Sequence, residues 1–350
     1  MKTRFFAFAA IAVLLSNFAI FAVPGPRAKA SKRSQASRLI AMLPASDAVA
    51  IFDNKRLIGD ALPKLLSANQ PMLGEIMAKV SEVEARTGID LRKFDQVAVG
   101  ATIRLLGTNP DIQPVAIASG DINAGALIAV AKLASKGTYK EEKIGERTVY
   151  IFSTKDVIQK TAAIKTSNSK ISQMVDEALQ CLTQDVAVSA LDRNTLVLGA
   201  HSKVRETIEA KSHIAADITA LLPIRETAVM SFAMKAPGGL SKLIPLDNDE
   251  LGANIDSIRY ISGSLDVTAT GASVQMMART TGASQATSLK DTLEGLQMLG
   301  GAFLSNSKRP DQQVYGRMVK AAKFDARGTD VMVDLLVPQG DIDILIGGMK

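Results

Sequence analysis

The passage AMLPASDAVAIFDNKRLIGDALPKLL, which begins at Ala41, returns in looser form as ALLPIRETAVMSFAMKAPGGLSKLIP from Ala220. Leu43-Pro44 is answered by Leu222-Pro223, Ala48-Val49 by Ala228-Val229, Phe52 by Phe232, and the stretch Leu62 to Leu65 by Leu240 to Leu243. Three further pairs follow in the same order. TGIDLRKFDQVAVGATI from Thr87 pairs with ANIDSIRYISGSLDVTA from Ala253, and VAIASGDINAGALIAVAKLAS from Val115 with VQMMARTTGASQATSLKDTLEGLQMLG from Val274. DVAVSALDRNTLVLGAHSKVRETI from Asp185 pairs with MVKAAKFDARGTDVMVDLLVPQGDIDIL from Met318. Four matches in one order argue for an internal duplication, so the chain is expected to fold as two similar units.

Each unit reads as the same string of elements. A short apolar strand follows the Leu-Pro, because the residue before proline is biased to extended geometry and proline fits a strand's first position. Helical spacing covers Met72 to Arg86, with Gly88 as the stop. Two longer strands form a hairpin, in which Leu265 and Val267 alternate with Ser264, Asp266 and Thr268 to give one apolar face and one wet face. Helices start near Asp121 and near Ser284, the latter with an apolar stripe of Leu289, Leu293, Leu296 and Leu299. A last hairpin turns at Asp192-Arg193-Asn194 or at Asp325 to Gly328, and a closing helix follows. Antiparallel strands with helices laid on them, without regular strand-helix alternation, point to α+β: two related halves, each a mainly antiparallel sheet with helices packed on one face. The halves are placed at 43–211 and 220–350. The polar patches KTSNSK and LSNSKRPDQQ, together with Ser31 to Arg38, are expected as loops.

The first thirty residues carry Lys2 and Arg4 ahead of an apolar run, then Pro24-Gly25-Pro26 and Ala28-Lys29-Ala30. That is the layout of a secretory signal peptide at 1–30, with cleavage at the Ala28-x-Ala30 motif and a linker at 31–42. The alternative is an uncleaved N-terminal membrane anchor, since Phe5 to Val23 approaches the roughly 20 residues needed to span a bilayer. Export would leave the mature chain in the periplasm or outside the cell.

The leader also holds most of the excess positive charge. Of 41 basic residues against 35 acidic, Lys2, Arg4, Arg27 and Lys29 precede the cleavage point, which leaves 37 against 35. Five of the 11 Phe lie there too, and the chain has only 4 Tyr and no Trp. A nearly neutral mature chain so poor in aromatic platforms is not expected to bind nucleic acid, and no carbohydrate platform is evident. A single cysteine, Cys181, excludes an intramolecular disulfide and reads as a small buried hydrophobe.

No metal, cofactor or catalytic residue is assigned. His201 and His213 are the only histidines, without Cys, Asp or Glu neighbours at ligand spacing, and Ser202 reads as the N-cap of the helix that follows His201. Asp247, Asp249 and Glu250 lack the continuation of a calcium loop. Gly238 to Lys242 reads as a helix-entry turn, not a phosphate loop. Ser-x-x-Lys occurs as Ser167 with Lys170 and as Ser305 with Lys308, which would need a buried lysine to work. Met276, Met277, Met298, Met318 and Met332 concentrate in the second half, where a soft apolar surface could take a lipid or a partner.

Leu43-Pro44 before a strand and Gly88 to Leu91 before the next resemble a group of bacterial exported, internally duplicated proteins of the domain-of-unknown-function type. The resemblance implies an exported, duplicated, non-enzymatic protein and supplies no catalytic residues. The sequence therefore favours an exported binding or structural protein that engages an unknown protein or an apolar ligand. A lipid carrier using the Met-rich second half is one alternative, and a Ser-Lys envelope hydrolase the other. Contact with membrane is expected only through an uncleaved leader. The intact mass of the chain recovered from an exporting bacterial host should correspond to residues 31–350. A mass that retains 1–30 would identify the leader as an anchor.

Overall fold

The computed structural model describes residues 32–87, 90–106, 109–135, 137–153, 185–243 and 249–347. The expected leader with Ala28 and Ala30, Gly88, Asp247 and the segment carrying Ser167, Lys170 and Cys181 lie outside these residues. The chain forms two compact units, one of residues 1–58 and 74–215, the other of residues 59–73 and 216–350. Among the described residues no helix is long and apolar enough to cross a membrane.

The first unit begins with α1 (Lys32–Met42), where a linker was expected. The reason is spacing. Ala36, Leu39, Ile40 and Leu43 recur at helical intervals and are all buried. Then come β1 (Ala48–Asp53), short helical turns through Asn54 to Leu65, α2 (Gln70–Thr87), β2 (Phe94–Leu106) and β3 (Asn109–Gly120). α3 (Ala124–Ala134) starts on Asn123, whose side chain accepts from the Ala126 N–H at 3.1 Å. β4 (Tyr139–Ile144), β5 (Arg147–Phe152), β6 (Val186–Asp192), β7 (Thr195–Ala200) and α4 (His201–Glu209) complete the unit. The strands lie side by side in the order β1-β2-β3-β7-β6-β5-β4, and the pairings are antiparallel.

α+β with a mainly antiparallel sheet is the class observed, but helices cover both faces of this first sheet. On one face Val97 of β2, Ala118 of β3 and Leu196 of β7 lie in register. They form a core with Val80 of α2 and Leu127 of α3. On the other face the register row Ala98, Ile117 and Val197 is fully buried. α1 lies against β2 and β3 there, and α4 against β3, β6 and β7. Gln35 of α1 donates to Ser119 Oγ at 3.0 Å, which fixes the helix over this face. The expected turn at Asp192 to Asn194 is present. Asn194 reaches out of it to donate to the Ile122 carbonyl at 2.9 Å, tying the hairpin to the lead-in of α3.

The second unit contains α5 (Ala216–Leu221), β8 (Met230–Lys235), α6 (Asp249–Asp256), β9 (Ile258–Thr268) and β10 (Gly271–Thr280). α7 (Ala283–Ser305), α8 (Pro310–Ala321), β11 (Lys323–Arg327), β12 (Asp330–Pro338) and α9 (Gln339–Gly347) follow. Its order is β8-β9-β10-β12-β11. This repeats β1-β2-β3-β7-β6 strand for strand, and the first unit adds the hairpin β5-β4 beyond. Between the third and fourth strands in chain order the first unit has one helix, α3, and the second has two, α7 and α8, and in each unit a further helix follows the last strand. The borrowed segment 59–73 contributes Leu65 to a core with Ala272, Val337 and Ile342.

Several details depart from the sequence reading. A strand follows each Leu-Pro pair, β1 from Ala48 as expected and β8 from Met230 rather than Ala228, but proline does not hold the first position of either strand. The leucines of these pairs serve as buried anchors. Ser264, expected on a wet face, is buried, as is its register partner Ser231, which donates to the Pro223 carbonyl at 2.7 Å. LSNSKRPDQQ is mostly not a loop, since α8 starts at Pro310, where a missing N–H costs nothing. The hairpin β4-β5 was not foreseen. Leu39→Ala should lower the free energy of unfolding by about 2–5 kcal/mol in denaturant melts, the cost of a buried leucine truncation. A linker residue would change it by less than about 0.5 kcal/mol.

Candidate functional site

An apolar hollow lies in the second unit, between α7, α8 and the end of the sheet. α7 spans 23 residues and is held at its N-terminal half, where Ala286 and Leu289 pack with Ala278 and Val331. Its apolar stripe then leaves the core. Leu289 is 2% exposed, Leu296 38% and Leu299 71%. The expected stripe is real, but only its first half is core.

α8 packs along the C-terminal half of α7, where the small residues Gly300 and Gly301 permit close approach. A Cβ added at Gly301 would stand 3.0 Å from Lys320 Cγ. Gln297 fixes the contact. Its amide donates to the carbonyls of Val319 and Ala322, each at 2.7 Å. These carbonyls stand at the end of α8, where a helix leaves its last carbonyls without partners inside the helix.

Between these two attachments the helices and strands border a cavity of about 370 Å³ that is open to solvent. α7 contributes Leu293, Leu296 and Gln297 to its wall, and α8 contributes Tyr315, Met318 and Val319. Ala322, Phe324 of β11 and Leu335 of β12 complete it. Among the described residues no charged side chain lines the cavity. Concave, mostly apolar walls with one or two polar groups are the usual chemistry of small-molecule sites. Of the five methionines singled out, Met318 alone lines it. Met277 and Met332 form a cross-strand pair, Met276 is partly exposed and Met298 points to solvent.

The polar candidates fall elsewhere. His201 is itself the first residue of α4, with Ala200 rather than Ser202 at the N-cap and no side-chain cap. Its Nε2 lies 2.6 Å from Glu142 Oε2, and Arg205 grips the same carboxylate, so the cluster ties α4 to β4. His213 is exposed in the chain leading to α5. Ser305 ends α7 and Lys308 lies in the turn beyond it, so the pair does not share a helical turn. Asp249 and Glu250 open α6, and Leu240–Leu243 forms a 3₁₀ turn as the Gly238-Gly239 reading implied. Among the described residues no three His, Cys, Asp or Glu side chains gather where they could hold a metal ion.

The displaced carboxylate pKa values belong to partnered groups away from the cavity. Hydrogen bonds from the Arg279 guanidinium hold Asp330 below the usual carboxylate range. The Tyr260 hydroxyl does the same to Asp217, and Arg309 to Asp311. Arg279 meets Asp330 through two bonds of 2.7 and 2.8 Å across the β10-β12 register. A carboxylate whose pKa is lowered on folding adds stability above its ordinary value of 3.8 and loses it as pH falls through the folded value. Asp330→Asn should therefore lower the melting temperature at neutral pH, and the difference from the parent should shrink as pH falls below that ordinary value. A difference that is constant with pH would show that the pair acts through packing alone.

No protein-family model matches the chain, and no curated protein matches it. Among solved structures it is similar to crystal form IV of TP0453, at 10% identity, covering 88% of this chain and 95% of that one with a TM-score of 0.42. Crystal form I gives 10% identity, 89% and 97% coverage and a TM-score of 0.41. Crystal form III gives 10%, 88%, 97% and 0.42.

Proposed function

We propose that this is an exported, non-enzymatic binding protein whose second unit takes an apolar ligand in the cavity between α7, α8, Phe324 and Leu335. The observation that carries this reading is the cavity's chemistry: about 370 Å³ walled by aliphatic and aromatic side chains, with the Gln297 amide engaged in holding α8. An apolar solute gains from leaving water there, and a charged one would lose its hydration without compensation. The leader at 1–30 supports export to the periplasm or beyond, by cleavage after Ala30 or with an N-terminal anchor retained. The common strand order of the two units supports their origin by duplication. The hydrolase alternative is weakened by the helix end that falls between Ser305 and Lys308.

The mature chain should bind an environment-sensitive apolar fluorophore at one site per chain, and native mass spectrometry of gently purified protein should show a single extra mass lost on denaturation. Val319→Glu, which sets a carboxylate in the cavity wall, should weaken the fluorophore by at least about tenfold with circular dichroism unchanged. Undiminished binding in that variant would overturn the assignment of the cavity. Labelling by a serine-reactive probe would favour the hydrolase.

A further inference from the structure

Outside the cavity, the C-terminal half of α7 presents an uncharged face to solvent. From Gly295 to Leu304 the helix carries no charged residue. Leu299 is 71%, Met298 77% and Phe303 80% exposed, and Gly295, Leu296 and Ala302 stand exposed beside them. At about 100° per residue these six positions span about 160° of the helix. Gly295, Leu299 and Ala302 recur at intervals of four and three along the middle of the face, the spacing of a helix-helix seam. Leu296 and Phe303 flank the seam on one side and Met298 on the other. The two ends of the face differ in charge. Asp291 and Glu294 stand exposed in the turns before it, and Lys308 and Arg309 in the turn after α7. Even with Lys290 beside Glu294 at 2.7 Å and Asp311 beside Arg309 at 2.6 Å, the start stays net acidic and the end net basic.

We propose that this face pairs with the same face of a second copy of the chain, the two α7 helices running antiparallel about a two-fold axis. An axis level with Gly300 and Gly301 sets Leu299 of each copy against Ala302 of the other, large against small. Leu296 then lies beside Phe303 of the second copy, and Lys308 comes level with the turns that carry Asp291 and Glu294. Each contact is made twice, as two-fold symmetry requires. A face whose ends carry opposite charge needs a partner with the reversed pattern, and the chain's own copy supplies it together with the matching sizes. Parallel pairing would instead set Gly295 against Gly295 and Asp291 beside Asp291, a gap and a repulsion. An anionic membrane surface would meet the acidic start of the face, where surface helices carry lysine and arginine. The seam is only about 16 Å long, short of the ~800 Å² per partner of a stable interface, so the dimer dissociates on dilution. The pairing does not depend on what the cavity holds.

Sedimentation velocity of the mature chain tests this. The chain should pass from monomer to dimer as its concentration rises from about 1 to about 100 µM. Leu299→Glu, which brings two carboxylates together near the axis, should weaken dimerisation at least about tenfold with circular dichroism unchanged. Lys308→Glu and Asp291→Lys should each weaken it about threefold, and the double exchange should restore it. A chain that stays monomeric across that range, a dimer indifferent to Leu299→Glu, or charge variants without mutual rescue would overturn the proposal. So would a monomer that binds phosphatidylglycerol vesicles and loses them in Leu299→Glu, which would give the face to a membrane.

Discussion

The second unit depends on how α7 is pinned. Ala286 and Leu289 press its first half onto β10 and β12, and Gln297 with Gly300 and Gly301 clamps its second half to α8. The two attachments use different physics: one removes apolar surface from water, the other satisfies carbonyls that the end of a helix leaves open. Because they lie about two turns apart, the side chains between them cannot close fully on the sheet. The cavity is the space left between those attachments.

This explains what was legible in the sequence and what was not. Period-3.6 spacing marked Leu289, Leu293, Leu296 and Leu299 as one stripe, and they are one stripe. Spacing carries no information about how far a neighbouring element extends, so it could not separate a leucine at 2% exposure from one at 71%. α8 was hidden by composition, since RPDQQ is polar and its exposed positions dominate. Pro310 at the first helical position was the available clue. The hairpin β4-β5 escaped because it has no counterpart in the other half. Its clue was Gly145, which takes φ 60° at the first place of the two-residue turn between Ile144 and Arg147. α1 was misjudged because its position next to the leader suggested a spacer, although Ala36, Leu39 and Ile40 already carried a helical period.

The two sheets share an order and differ in how they are covered. In the first, α1 and α4 bury the face that opposes α2 and α3, and β7 is buried along its whole length. A strand with both faces covered has little freedom to vary, and TLVLGA is accordingly small and aliphatic. In the second, β12 alternates buried Val331 and Val337 with exposed Asp334 and Leu336, and Arg279 and Asp330 join strands on the uncovered side. The same arrangement of strands thus yields one unit dedicated to packing and one with surface to spare.

Residues 59–73 are part of the second unit although they precede most of the first in the chain. Leu65 completes the core around Ile342, and Gln339 reaches Ser67 Oγ at 3.2 Å. The order of synthesis therefore differs from the order of completion. This segment leaves the ribosome early and must wait, unsatisfied, until α9 at the far end of the chain is made. The last core to close therefore joins segments far apart in the chain, as the 274 positions between Leu65 and Gln339 show.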